Sequence, residues 1–166
     1  FLFWNYLNFE NESRKTFFNL KNKLIKTLLV LTLFQIILGA FVSGLDAGLI
    51  YQTWPKMNLA YFPDDINFNV LNTFNLLNEQ SFVQFLHRTM AYLIMILVLY
   101  IGISFYYNKK IIFFKSYFIV LFSLIIQGIL GIYTLLSGLN IFLASLHQIT
   151  SVILVFSVLN LNHKMS

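Results

Sequence analysis

The sequence predicts an all-α membrane protein, a bundle of four transmembrane helices, and three observations lead there. Only 10% of its 166 residues are charged, where a soluble domain carries about a quarter. Hydrophobic residues make up 58% of the chain and are gathered into four long runs, each near the roughly 20 residues that a helix needs to cross a bilayer. The basic residues stand just outside those runs, where topology signals stand. A net charge of +5 is therefore read as membrane orientation, and nucleic acid is excluded as a partner. Membrane lipid is the expected surrounding. With no cysteine the chain has no disulfide framework and no thiolate metal site. Its heavy use of Phe, Ile, Leu, Asn and Lys, residues with AT-rich codons, points to an AT-rich genome such as an organellar one.

Residues 1–23 read as an N-terminal inner-side segment. Its opening "FLFWNYLNF" is too short to span and lacks the cationic leader and cleavage pattern of a signal peptide. It reads as the tail of a preceding helix. The spans are expected at 24–43, 82–105, 112–136 and 141–161, within a bundle covering 24–163. Between the first two lies a polar outer loop, 44–80, with Pro55, Pro63 and many asparagines. The other connections are short, which makes sequence neighbours antiparallel. Arg14, Lys15, Lys21, Lys23 and Lys26 precede the first span, Lys109, Lys110 and Lys115 flank the second connection, and Lys164 follows the fourth span. The outer loop instead holds Asp46, Asp64, Asp65 and Glu79 against one lysine, and "SGLN" near 140 has no charge. The excess of Lys and Arg puts both termini on the inner side.

The spans also repeat. "QIILGAFVSG" in the first answers "QGILGIYTLLSG" in the third, and "FLHRT" in the second answers "SLHQIT" in the fourth. Each hairpin is a Gln-x-Ile-Leu-Gly helix going out and a Leu-His helix coming back, in the same membrane orientation. Repeats of that kind are related by an axis along the membrane normal, so the bundle is expected to have an internal pseudo-twofold that faces spans two and four across it.

The repeat sets the depth of two histidines. His87 and His147 each lie about six residues into their spans, or on the order of 9 Å below the outer end. Imidazoles at equal depth on facing helices can take the two axial positions of one haem iron. Gly39, Ala40, Gly128 and Gly131 remove bulk, as close helix approach or a flat macrocycle requires. A lone intramembrane histidine can instead simply hydrogen-bond a neighbouring helix. Zinc or copper would want a third or fourth ligand, and the spans have no Cys, Asp or Glu at that depth. Met90, three residues after His87 on the same helix, cannot reach the opposite axial position, so Met90 and Met95 are read as packing. His163, beside Lys164, is expected to be solvated. Arg88 is a costly group inside a span and should have a partner: first a haem propionate in a two-point grip, second Asp46. Gln84 lies one turn earlier on the same face, and the loop is expected to close over the outer side of the pocket with Tyr51 and Trp54 at interfacial depth.

Three blocks, "GAFVSGLDAGLIYQTWPKM" (39–57), "NEQSFVQFLHRTMAYL" (78–93) and "QGILGIYTLL" followed by "LASLHQ", carry a family likeness. Through them the chain resembles the C-terminal half of haem A synthase, from about residue 28 to residue 163. That resemblance implies half of an eight-helix protein made of two similar four-helix halves, which oxidises the methyl group of haem O to the formyl group of haem A for cytochrome c oxidase assembly. It implies that His87 and His147 are the axial ligands of a haem b, with Arg88 and Gln84 beside it. The family's N-terminal half has its own histidine pair, with a glutamate one turn before one histidine. Here Gln84 stands at the corresponding place, and an amide is no acid or base. The resemblance therefore implies an electron-transfer half, no assigned catalytic residue, and haem O reached through an N-terminal half that is missing or a separate chain, in a homo- or hetero-oligomer. The implied place is the mitochondrial inner membrane or a bacterial cytoplasmic membrane. A bis-histidine membrane cytochrome b and a non-catalytic haem-binding respiratory-complex subunit stay open as alternatives.

Overall fold

A computed structural model describes residues 23–66, 74–109 and 111–165. Nearly all of the N-terminal segment 1–23 lies outside the described residues. The four expected spans are helices α1 (Lys23–Gly44), α2 (Gln80–Tyr107), α3 (Phe114–Leu136) and α4 (Ile141–Met165). Each is long and apolar enough to cross a membrane, and no sheet strand occurs among the described residues. The chain is an integral membrane protein of all-α class.

The ends of the helices follow local chemistry. Past the end of α1, Asp46 takes a left-handed φ of 54°, a conformation that Asp tolerates better than most residues. At the end of α3, Gly138 has φ 69°, and the amides of Gly138 and Leu139 reach back to the carbonyls of Leu135 and Thr134. This is the αL ending that favours glycine. Asn140 then caps α4, its Oδ1 accepting from the amide of Phe142 at 3.0 Å and satisfying one of the first-turn donors. The fourth helix runs four residues beyond the expected 161, to Met165. Its last turn holds His163 and Lys164, and the lysine is a cation suited to a helix C-terminus.

Helix α1 packs on α2 and α4, and α3 packs on α4 and α2. Large apolar residues such as Val30, Ile96, Phe122 and Val152 are exposed on the outside, as a lipid-facing surface requires. The buried apolar cluster draws on all four helices: Ile25 and Leu28, Val98 and Ile101, Val120 and Leu124, Leu154 and Val158. Those positions lie at the start of α1, the end of α2, the start of α3 and the end of α4, which is the end of the bundle away from the 44–80 loop. Met90 and Met95 pack against it. Buried hydroxyls on these helices bond within their own backbone, Thr32 to Leu28 O at 2.8 Å and Ser157 to Ile153 O at 2.8 Å. Internal satisfaction of that kind is what a bilayer demands. His163 departs from the expectation of solvation. It is only 2% exposed, because α4 continues past it as packed helix.

Candidate functional site

The other end of the bundle is built from polar residues in a repeated pattern. His87 lies seven residues into α2 and His147 six into α4, depths of about 10 and 9 Å along the axes. Both imidazoles are half-buried.

Each histidine is held by the helix before it in its own hairpin. From α1, Gln35 Nε2 donates to the carbonyl of His87 at 3.0 Å and lies 3.2 and 3.3 Å from the ring's Nδ1 and Nε2. From α3, Gln127 Nε2 donates to the carbonyl of His147 at 2.9 Å and lies 3.5 Å from that ring's Nε2. One turn further along α1 and α3 stands a glycine against the same ring. A Cβ on Gly39 would come within 3.3 Å of His87 Cε1, and one on Gly131 within 3.0 Å of His147 Cε1. Gly39 and Gly131 therefore make room for imidazoles. Gly128 faces open space, and Ala40 lines an apolar concavity of about 420 Å³ with Ile37, Phe41, Gly44 and Leu45, none of which is a site residue.

The two cradles differ in one place. Thr150, three residues after His147, donates from Oγ1 to Gln127 Oε1 at 2.5 Å. The corresponding residue after His87 is Met90, which has no donor, and Gln35 Oε1 is buried with no partner. His147 Nδ1 is likewise buried and unpartnered.

Gln84 and Arg88 serve the outer loop. Gln84, 3% exposed, donates from Nε2 to the carbonyl of Tyr51 at 3.0 Å. One turn on, Arg88 donates to the same carbonyl at 2.8 Å, to Thr53 O at 2.9 Å and to Lys56 O at 3.4 Å. The hydroxyl of Tyr51 lies 2.8 Å from Asp64 Oδ1 and 2.9 Å from Asp65 Oδ1. Ser81 donates to Asp65 Oδ2, and Gln80 to the carbonyl of Leu45. Burial first, then the hydrogen bonds to Asp64 and Asp65, push the Tyr51 phenol well above its ordinary range. The loop is thus clamped onto the first two turns of α2, immediately above His87. Tyr51 is buried, while Trp54 is 46% exposed.

Two imidazoles, one from each hairpin at a common depth, are the kind of donor pair a haem iron takes. Among the described residues no group of three or more His, Cys, Asp or Glu side chains comes together to hold a metal ion. The glycine behind each ring and the unpartnered His147 Nδ1 suit rings oriented toward a ligand. Sequence reading had found the histidines and the Gln-x-Ile-Leu-Gly repeat but had given the glutamines no task. The signal was present: in both hairpins the same Gln and Gly precede the same Leu-His.

Fold and site define a class, a four-helix membrane protein with one histidine from each of two repeated hairpins at a common depth. Over residues 1–159 the chain matches the family described as cytochrome oxidase assembly protein, and it belongs to that family. It is 40% identical over 165 residues to the heme A synthase of Pelagibacter ubique, covering 99% of this chain and 48% of that relative. It is 44% identical over 127 residues to the heme A synthase of Wolbachia pipientis wMel, covering 76% of this chain and 35% of the relative. With the heme A synthase of the Wolbachia of Brugia malayi it shares 37% over 156 residues, 92% of this chain and 45% of the relative. The chain spans about half the length of these curated relatives or less. No solved structure matches it.

Proposed function

We propose that this chain is the haem-binding, electron-transfer half of a haem A synthase, an oxidoreductase that converts the methyl group of haem O to the formyl group of haem A for cytochrome oxidase. The observation that carries the reading is the paired cradle, Gln35 and Gly39 behind His87 and Gln127 and Gly131 behind His147, in a chain 40% identical to a protein named heme A synthase. The cofactor is haem b, which His87 and His147 would hold. Bound by two imidazoles, it would supply one-electron transfer.

The residues divide the remaining work. Gln35 and Gln127 orient the rings, and the inner apolar cluster closes the bundle beneath them. Gln84 and Arg88 hold the outer loop over the site. Arg88 commits three N–H donors to loop carbonyls and keeps two of its five for a haem propionate. Conversion of a methyl to a formyl group withdraws electrons, so a half that carries electrons needs a half that holds haem O. That second half is the partner, on the same chain or another, and the two meet as an oligomer if separate. Both termini lie on the cytoplasmic side of a bacterial membrane or the matrix side of the mitochondrial inner membrane. The heavy use of Phe, Ile, Leu, Asn and Lys suits an AT-rich genome such as an organellar one, while the relatives named above are bacterial.

The test is a haem b titration of the purified chain followed by absorption spectroscopy. A six-coordinate low-spin spectrum is expected, with His87→Ala and His147→Ala each giving a five-coordinate or empty site. Wild-type spectra and haem content in both variants would refute the ligand assignment. Incubated with haem O and an electron acceptor, the chain should yield no haem A until the N-terminal half is supplied. Haem A formed by this chain alone would overturn the division of labour.

A further inference from the structure

The two cradles repeat in every feature but one, and that one bears on hydrogen-bond accounting. A histidine that binds iron through one ring nitrogen carries a proton on the other, and that N–H ordinarily finds an acceptor that orients the ring and makes it a better donor to the metal. The Gln127 amide is turned the wrong way to serve as that acceptor. Its Oε1 faces Thr150, which donates to it, its Nε2 faces the ring and donates to the carbonyl of His147, and His147 Nδ1 is buried with no partner. The Gln35 amide differs. Its Oε1 is buried and unpartnered, Met90 stands where a threonine would hold it, and its Nε2 lies 3.2 Å from His87 Nδ1 and 3.3 Å from His87 Nε2, within reach of whichever nitrogen carries the proton. A half-turn about the last side-chain bond exchanges Oε1 and Nε2, bringing an acceptor to the place where the donor stands. That torsion is broad and nearly two-fold, so both settings are accessible. The turn gives up the bond to the His87 carbonyl and sets Oε1 beside that oxygen, a cost offset by a bond to a ring N–H polarised by the metal, the stronger kind.

We infer that Gln35 is the positioning residue that accepts the ring N–H of His87, that the threonine-to-methionine difference leaves it free to do so, and that the two axial ligands are therefore unequal. His87, with an acceptor behind it, is the firmer ligand. His147, with none, is the one that yields first to an incoming ligand. This rests on the haem reading above and adds to it which ligand is exchangeable and what makes it so.

The experiment uses the full chain in lipid nanodiscs loaded with haem b. It reads the low-spin electron paramagnetic resonance signal, the reduction potential and the fraction of ferrous haem that binds carbon monoxide. Met90→Thr keeps Gln35 but gives it the hydroxyl that fixes Gln127, so it should shift the resonance, raise the potential and increase the carbon monoxide fraction. Gln35→Met should do the same and lower haem retention by about 10- to 100-fold, the usual effect of losing a partner behind a metal ligand. Gln35→Glu retains an acceptor and should restore the wild-type resonance or lower the potential further. Haem uptake with wild-type resonance and potential in Met90→Thr and in Gln35→Met would overturn this inference and leave the haem reading standing. A chain that takes up no haem would overturn both.

Discussion

Replacing Gly131 by alanine tests the site while sparing the fold, because the two effects have opposite signs. The added Cβ would stand 3.0 Å from His147 Cε1, 3.5 Å from Nδ1 and 3.6 Å from Nε2. Carbon atoms settle at about 3.5–4.0 Å, so the imidazole must retreat by about 0.5–1 Å. Gln127 holds the carbonyl of the same residue, which leaves the ring to turn about its own side-chain bonds and swing off its line. Overpacking of this size costs about 1–3 kcal/mol, or a loss of about 5- to 100-fold in haem affinity at 1.4 kcal/mol per decade. The helix itself gains, since alanine is better than glycine inside a helix by about 0.8–1.0 kcal/mol. At Gly39 the corresponding distance is 3.3 Å, and a shift of a few tenths of an ångström puts the loss at the low end, about 1 kcal/mol. The assay is a haem b titration by absorbance, paired with thermal unfolding of the unloaded chain. The expected result is weakened haem binding, more in Gly131→Ala than in Gly39→Ala, with the loss of thermal stability in the unloaded chain held down by the helix gain of about 0.8–1.0 kcal/mol. Wild-type affinity in Gly131→Ala, or a larger loss at Gly39, would refute the cradle.

Cysteines placed at Asn58, in the outer loop, and at Asn108, in the α2–α3 connection, should react with an impermeant label from opposite faces of the membrane; reaction from one face would end the four-span topology. Tyr51→Phe removes the hydroxyl shared by the exposed Asp64 and Asp65, and a hydrogen bond of that kind contributes about 0.5–1.5 kcal/mol. Limited proteolysis should then cut the 45–66 loop faster than in the wild type, and equal rates would refute the clamp. The Tyr51 phenol is raised in the folded loop, so its contribution is whole below the unfolded value of about 10 and is lost as pH climbs through the raised value. Trp54 fluorescence should hold steady up to about pH 10 and change above it. Persistence of that change in Tyr51→Phe would assign it elsewhere.

The helices and the repeat were legible because both are written along one strand of sequence: apolar runs need only length, and Gln-x-Ile-Leu-Gly followed by Leu-His needs only comparison of one hairpin with the next. What could not be read depends on which faces meet. The bond from Gln35 to the carbonyl of His87 joins residues 52 positions apart and exists only for one rotation of α1 against α2. Arg88 was expected to seek a haem propionate or Asp46, but its placement is governed by three backbone carbonyls of the outer loop. Backbone acceptors are the same in every residue and leave no mark in sequence. His163 looked like an end residue beside Lys164, and its burial follows from α4 continuing to Met165. The difference between Thr150 and Met90 was visible as letters, yet it acquires meaning only once Gln127 is seen to occupy the threonine's hydroxyl.

The arrangement separates how each imidazole is aimed from how far apart the two stand. Aim is set within a hairpin: Gln35 and Gly39 of α1 act on His87 of α2, and Gln127 and Gly131 of α3 act on His147 of α4. None of those contacts crosses between hairpins. Separation is set between hairpins, by α1 against α4 and α2 against α3, and the buried cluster that joins all four helices lies at the end away from the site. A bundle built in this way can duplicate its hairpin and alter one copy, as Met90 and Thr150 differ, without disturbing the spacing of the pair. The loop clamp then acts on one side alone, since Gln84 and Arg88 both belong to α2 and, among the described residues, the connection into α4 is only 137–140. Inequality between the two histidines is thus built twice, once behind the rings and once above them, on a frame that is otherwise a repeat.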